Sequence, residues 1–273
     1  MNKKLSIILC SKNDTYCGDP VQKLNNVLHY ISIFSKLLIK SIDFEVVISD
    51  WGSSLPLSNL DSLNSHDIDN LKFIHSDKSF CDPLNNDSDF SQPHALNITL
   101  KESSGDFFLK IDQDTIVGPS FFHWISNTQR LPSLAFSASR SLEAVDIKDI
   151  NKILYNDDYQ KLTIPEPLHA FNHRVSSSIF PFFGCRRGVL FFSKSVLAVN
   201  SGFNEDLIFQ NFIHQDFINR CLHKYNIYNL GAKLNFDFYH QEHLIKDNLD
   251  RVSNSPLYKN NLIPIQNKTR IFK

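Results

Sequence analysis

Two aspartates one residue apart, Asp112 and Asp114, close the apolar run of "FFLKIDQDTIV" at residues 107–117. On a regular strand, side chains at i and i+2 share a face, so both carboxylates would point to one place. At the end of a buried strand such a pair repels itself and resists desolvation. A hard divalent cation, Mn2+ or Mg2+, resolves the conflict through its preference for oxygen ligands, and it can also bridge a diphosphate. The plain alternative is a solvated pair of loop aspartates. Three further groups carry chemical potential. Asp216, in "HQDFINR", falls near the start of a helical segment, where the helix dipole favours a carboxylate. "YHQEH" at 239–243 holds two imidazoles, His240 and His243, which by themselves are more often structural. Arg186 and Arg187 precede an apolar strand, where a guanidinium can meet a phosphate or simply cap a solvated turn.

These residues need a scaffold, and the hydrophobic pattern supplies one. Leu5–Leu9 is a short apolar run ending in a polar loop, as a buried parallel strand would. Asp19-Pro20 opens a helix, with Asp as cap and Pro at the first helical position. Val21, Leu24, Val27, Leu28, Ile31, Phe34, Leu37 and Leu38 keep helical spacing on one face. "FEVVIS" and "LKFIH" read as the next strands, "PHALNITLKESSG" as a helix closed by Gly105, and "DFFLKI" as a further strand. This alternation predicts an α/β fold, a doubly wound mixed sheet with helices on both faces and a site at the carboxyl ends of its strands. Beyond Pro119 the pattern loosens: "FFHWISNT" looks helical, "LAFSASR" and "GVLFFS" look like strands. "FIHQDFINRCLHKY" reads as a helix and "LNFDFYHQEH" as a last strand. Residues 141–183 form a long polar and aromatic segment, of the kind that is usually functional.

Composition narrows the function classes. The chain has 273 residues, 42% of them hydrophobic, enough for a sizeable core in one large or two merged domains. A net charge of −1 gives no global field for nucleic acid, so no nucleic-acid partner is expected. Five scattered cysteines with no CxxC pair read as free thiols in a reducing compartment. Leu5–Cys10 is too short for a signal-peptide core and no run approaches a membrane span, so the expected location is cytoplasmic. From Arg251 onward the residues are basic without an acidic one, which would suit peripheral contact with the inner face of a membrane. Trp124, Phe182 and Phe183 offer rings to sugars, but among 23 phenylalanines core packing is the better reading.

Other catalytic patterns fit less well. "DQDTIV" resembles the D-x-D-x-T motif of aspartate-nucleophile phosphohydrolases, which would make Asp112 a nucleophile. That motif belongs after a first strand, however, and here roughly a hundred residues of α/β pattern precede it. Phosphate-binding glycine loops are absent, and "HQEH" is not H-E-x-x-H.

Several short segments, in order, resemble the inverting nucleotide-diphosphosugar glycosyltransferases of GT-A fold that build bacterial polysaccharides and lipooligosaccharides. "LSIILCSKND" is similar to their S-I-I-I-P-T-Y-N opening and "FEVVISDWGSS" to E-I-I-V-V-D-D-G-S. "HALNITLKESSGDFFLKIDQD" is similar to the segment ending in D-x-D, "SGFNEDLIFQNFIHQDFINRC" to the G-G-F-D-E … E-D segment, and "YHQEH" to the later histidine. The resemblance spans about residues 5–243. It implies a nucleotide-binding half at 1–115, an acceptor-binding and catalytic half at 116–245, and a basic tail at 246–273. Ser11, Asn13 and Asp50 would bind the nucleoside, and Asp50 would read the base. Asp112 and Asp114 would hold Mn2+ or Mg2+ with His240 as the third ligand and His243 as its alternative. Arg186 would face phosphate, and Asp216 would take the proton of the attacking hydroxyl. Implied partners are a nucleotide-diphosphosugar donor, a UDP-sugar by default, and a glycan or glycolipid acceptor. The departures are Cys10-Ser11 for Pro-Thr, Trp51 for the second Asp, Leu96 for an Arg, and Gln215 for Glu. They leave open a degenerate scaffold that binds carbohydrate without catalysis.

Overall fold

The computed structural model describes residues 3–14, 19–38, 42–85, 89–142, 146–155, 188–207, 213–235 and 237–241. Arg186, His243 and the basic tail lie outside these residues. The first half alternates as the sequence pattern predicts. Strand β1 (Lys3–Ser11) leads to helix α1 (Pro20–Phe34), β2 (Ile42–Trp51), a short α2 (Asp61–Asn64) and β3 (Leu71–Ser76). Helices α3 (Lys78–Asn85) and α4 (Gln92–Glu102) then lead to β4 (Phe107–Lys110). Asp19 caps α1 by accepting a hydrogen bond from the Gln22 backbone N–H at 2.8 Å, and Pro20 takes the first helical position.

Next come β5 (Thr115–Val117), α5 (Pro119–Asn127), β6 (Leu134–Ser137), β7 (Arg140–Leu142) and α6 (Ile147–Tyr155). The described chain continues with β8 (Val189–Ser193), α7 (Lys194–Asn200), α8 (Ile213–Cys221), β9 (Tyr228–Asn229), α9 (Leu230–Lys233) and β10 (Phe238–Gln241). A seven-stranded mixed sheet takes the order β3-β2-β1-β4-β8-β6-β9, and a small sheet the order β5-β10-β7. The segment "LAFSASR", read as one strand, is therefore divided between the two sheets.

Alternation along β1 builds two cores. Leu5, Ile7 and Leu9 face one side, against Leu24, Val27, Leu28 and Ile31 of α1 and Phe121 and Phe122 of α5. Ile8 and Cys10 face the other, against Ala95, Leu96 and Leu100 of α4 and Phe217 and Ile218 of α8. Each fully buried side chain of this size contributes roughly 1.5–3 kcal/mol. Helices on both faces leave only the strand ends for function.

Gly105 does not close α4, as the sequence suggested; the helix is capped at Ser103. Gly105 instead passes close to β1, where a Cβ would stand 2.5 Å from Ser6 Oγ, and its N–H donates to that oxygen at 2.9 Å. Ser6 in turn donates to the buried Glu45 carboxylate at 2.6 Å, which also accepts from the Ser104 N–H at 2.6 Å and Lys72 Nζ at 3.0 Å. Burial alone would push Glu45 up. Its donors outweigh burial and hold it down at about 2. Among the described residues no helix is long and apolar enough to cross a membrane.

Candidate active site at the carboxyl edge of the sheet

Strands β2 and β3 build outward from one side of β1, then α4 returns the chain to the other side as β4, parallel to β1. The strand order therefore reverses at β1, and the crevice beyond the carboxyl ends of β1 and β4 is where such sheets bind ligands. Ser11, Asp50 and the Asp112 segment all stand at that edge.

Asp112 and Asp114 are not on a strand, which corrects the geometry expected from the sequence. They lie on a turn closed by a hydrogen bond from the Thr115 N–H to the Asp112 carbonyl at 3.0 Å. They also find protein partners. Lys110 is fully buried, and its Nζ lies 2.5 Å from Asp112 Oδ1 and 3.2 Å from the Gly188 carbonyl. Gln92 Nε2 donates to the same Asp112 oxygen at 3.3 Å. Lys110 is thus an internal counter-ion to the first carboxylate.

Asp114 turns the other way. Its Oδ1 stands 3.1 Å from His240 Nδ1, and both side chains are nearly buried. The approach is set by backbone pairing, because β10 runs antiparallel to β5 with His240 opposite Thr115. Gln241 locks the register: its N–H donates to the Asp114 carbonyl at 2.9 Å, its Nε2 to the Lys23 carbonyl at 3.0 Å, and its Oε1 accepts from Asn26 at 2.7 Å. Residues some 125 apart in sequence thereby converge on one point. A carboxylate oxygen and an imidazole nitrogen so placed suit Mn2+ or Mg2+. Among the described residues no group of three or more Asp, Glu, His or Cys side chains is arranged so that it could hold a metal ion.

The nucleoside candidates sit on the neighbouring strands. Ser11 pairs in register with Asp50 across β1 and β2, and its hydroxyl donates to Gln113 Oε1 at 2.5 Å. The Asn13 N–H donates to Ser53 Oγ at 2.8 Å. Buried Asp50 accepts on Oδ2 from the Leu57 N–H at 2.8 Å and contacts His75 Nδ1 at 2.9 Å. Its Oδ1 has no hydrogen-bond partner among the described residues. Trp51, standing in place of a second Asp, is an anchor rather than a ligand. It is fully buried, donates to Asn85 Oδ1 at 2.7 Å and stacks on His94. Leu96 is also core.

Asp216 lies on α8 and is 5% exposed. Arg220, one turn on, reaches its Oδ2 through Nε and Nη2, each at 2.8 Å, and ties the pair to the Asn200 and Gly202 carbonyls. Burial raises the Asp216 carboxyl above its ordinary value, against the lowering pull of Arg220. His214, on the same helix, packs against Gly188, whose carbonyl lies 3.2 Å from Lys110 Nζ. That ring packs so closely on Gly188 that a Cβ there would stand 2.5 Å from His214 Nδ1. Burial, and then the Lys110 charge, hold the imidazole well below its ordinary value, so it is neutral. The sequence reading missed Lys110, Gln92, Gln113 and Gln241. Only Lys110 carried a signal, as a cation inside an otherwise apolar strand.

No protein-family model and no curated protein matches the sequence. Solved structures do. S. aureus TarS 1–349 matches with a TM-score of 0.57 and 15% identity over 87% of this chain and 60% of that one. The same protein in complex with UDP-GlcNAc gives a TM-score of 0.56 and 15% identity, covering 88% of this chain and 59% of that one. The mannosyltransferase PcManGT from Pyrobaculum calidifontis, in complex with GDP-Man and Mn2+, gives 0.53 and 13% identity over 91% and 59%. The chain thus spans about three fifths of the length of these solved proteins. At such identities the likeness is one of fold. The chain has the GT-A fold of nucleotide-sugar glycosyltransferases.

Proposed function

We propose that the chain is an inverting, metal-dependent glycosyltransferase, moving a sugar from a nucleotide-diphosphosugar, taken as a UDP-sugar, to a hydroxyl of a glycan or glycolipid. The observation that carries this reading is the Asp114–His240 pair, brought to 3.1 Å at the switch-point edge of a GT-A sheet. TarS was solved with UDP-GlcNAc and PcManGT with GDP-Man and Mn2+, which supports the choice of donor class and of metal.

Asp114 and His240 would hold Mn2+ or Mg2+, with Asp112 beside them on the same turn. When bound, the ion supplies positive charge to the departing diphosphate. Lys110 fixes the Asp112 rotamer and leaves its second oxygen to face the ribose or the ion. Ser11, Asn13 and Asp50 bind the nucleoside, and the free Oδ1 of Asp50 is an acceptor for a base N–H. Arg186, outside the described residues, is assigned to phosphate by resemblance alone. Asp216 takes the proton from the acceptor hydroxyl, and Arg220 orients the carboxylate that does so. A raised carboxyl is better matched to that task, because a general base works best near the operating pH. In the division into a nucleotide-binding half at 1–115 and an acceptor-binding and catalytic half at 116–245, Asp112 and Asp114 belong to the first and His240 and Asp216 to the second.

Calorimetry with UDP, with and without Mn2+, tests the reading. Wild type should bind UDP in a Mn2+-dependent manner. Asp114→Asn should abolish that dependence, and His240→Ala should weaken it less, since water can take a vacated coordination position. Unaltered Mn2+-dependent binding in Asp114→Asn would overturn the metal assignment. Absence of transfer from any nucleotide sugar, despite such binding, would favour the non-catalytic scaffold.

A further inference from the structure

A cleft of about 620 Å3 lies at the end of the sheet opposite the Asp112 turn. Its place follows from strand direction. β6 is antiparallel to β8, and β8 is antiparallel to β4, so β6 runs with β4. β9 is parallel to β6. The segment entering β6 and the first residue of β9 therefore lie beside the start of β4, a strand's length from the candidate active site.

Three cations, Arg130, Lys224 and Lys233, and three aromatic rings, Trp124, Tyr225 and Tyr228, line the cleft, and no carboxylate does. None of the three cations forms an ion pair among the described residues. Two of the rings are held in place. Tyr225 donates its hydroxyl to the Ser195 carbonyl at 2.9 Å, and Trp124 meets Phe191 edge-on at 5.3 Å. Tyr228 is 41% exposed. Like charges gathered in a concave wall raise the local potential and attract an anion. Fixed aromatic faces offer apolar area at little entropic cost, and the volume suits a ligand of several rings.

We propose that this cleft binds an anionic saccharide. Its sugar face lies against the exposed Tyr228, and its carboxylate or phosphate substituents pair with Arg130, Lys233 and Lys224, whose Nζ stands 6.0 Å from the centroid of the Tyr225 ring. A lipid surface is the less favoured source of negative charge, because the exposed cations share the cleft with the rings of Trp124, Tyr225 and Tyr228, which suit sugar faces. The site is separate from the proposed transfer chemistry, and its test needs neither donor nor metal.

The full chain is titrated with tetragalacturonate, a carboxylated oligosaccharide, in parallel with neutral maltotetraose, inorganic phosphate and phosphatidylglycerol vesicles. Binding is read by calorimetry and by tryptophan fluorescence, since Trp124 is one of only two tryptophans. Tetragalacturonate should bind at least roughly tenfold more tightly than maltotetraose, and salt should weaken it. The Arg130→Ala/Lys233→Ala variant should lose at least roughly tenfold in affinity while keeping the wild-type urea unfolding midpoint, which reports an intact fold. Tyr228→Ala should weaken tetragalacturonate but leave phosphate binding unchanged. Equal binding of the two oligosaccharides, indifference to the cation variant, or binding of vesicles without tetragalacturonate would each overturn the proposal.

Discussion

Glu45 and Asp216 are both buried carboxylates, yet their environments push them in opposite directions. Glu45 sits on β2 under a set of donors from three segments, Ser6, Ser104 and Lys72, and falls to about 2 despite burial. Asp216 has Arg220 on one oxygen and the Asn204 side chain beside it, yet burial prevails and its carboxyl rises. The difference lies in how many donors satisfy the charge, since burial raises both. A carboxylate whose donors outweigh burial is a structural staple. One for which burial outweighs its donors accepts a proton more readily.

The largest expected effect separates the two most sharply. Asp216→Asn keeps the shape but removes the proton acceptor, so transfer should fall by about 10²–10⁴. Mn2+-dependent UDP affinity should stay near wild type. Product formation and calorimetry on one preparation check this, and equal loss of both would return Asp216 to a structural role.

Glu45→Gln should do the reverse, leaving kcat close to wild type while destabilising the fold. Replacing a multiply hydrogen-bonded carboxylate costs about 1.5–3 kcal/mol, measurable by urea denaturation. If turnover collapsed while stability held, the contrast would be wrong.

The pH dependence carries opposite signs. Glu45 is depressed in the fold from an ordinary 4.5 to about 2. Its stabilisation is therefore full above about pH 4.5 and is lost as pH falls toward 2. Asp216 is raised above an ordinary 3.8. Its contribution to stability is full below that value and is lost as pH rises through the folded pKa. Turnover should gain over that same rise, giving kcat an acid limb displaced upward from the ordinary aspartate value of 3.8, and Glu45→Gln should not move that limb. A kcat–pH profile flat through that region would contradict the base assignment.

The smallest effect comes from removing one donor. Ser6→Ala deletes one hydrogen bond to Glu45 and the acceptor of the Gly105 N–H, and should cost about 1–3 kcal/mol. It should also shift the acid loss of stability toward higher pH. An unchanged acid midpoint would mean that Ser6 contributes nothing to holding Glu45 down.

Much of the scaffold was legible from local signals. Asp19-Pro20 announced α1 because a cap and a fixed φ act on their own turn. The runs at Leu5–Leu9 and "FEVVIS" announced buried strands because a strand covered on both faces needs no polar alternation. Gly105 misled, because its small size serves a contact with Ser6 some hundred residues away rather than a helix end. The same limit applies at the site. Residue type and spacing picked out Asp112 and Asp114 as chemically capable groups, and the resemblance added Asp216 and His240. Only the tertiary structure decided that Lys110 neutralises Asp112, that β10 carries His240 to Asp114, and that Arg220 stands against a carboxyl raised by burial. The reason is physical: a side chain's charge state and partners depend on what burial and strand pairing bring within about 3 Å, the reach of a hydrogen bond. Those neighbours come from distant parts of the chain.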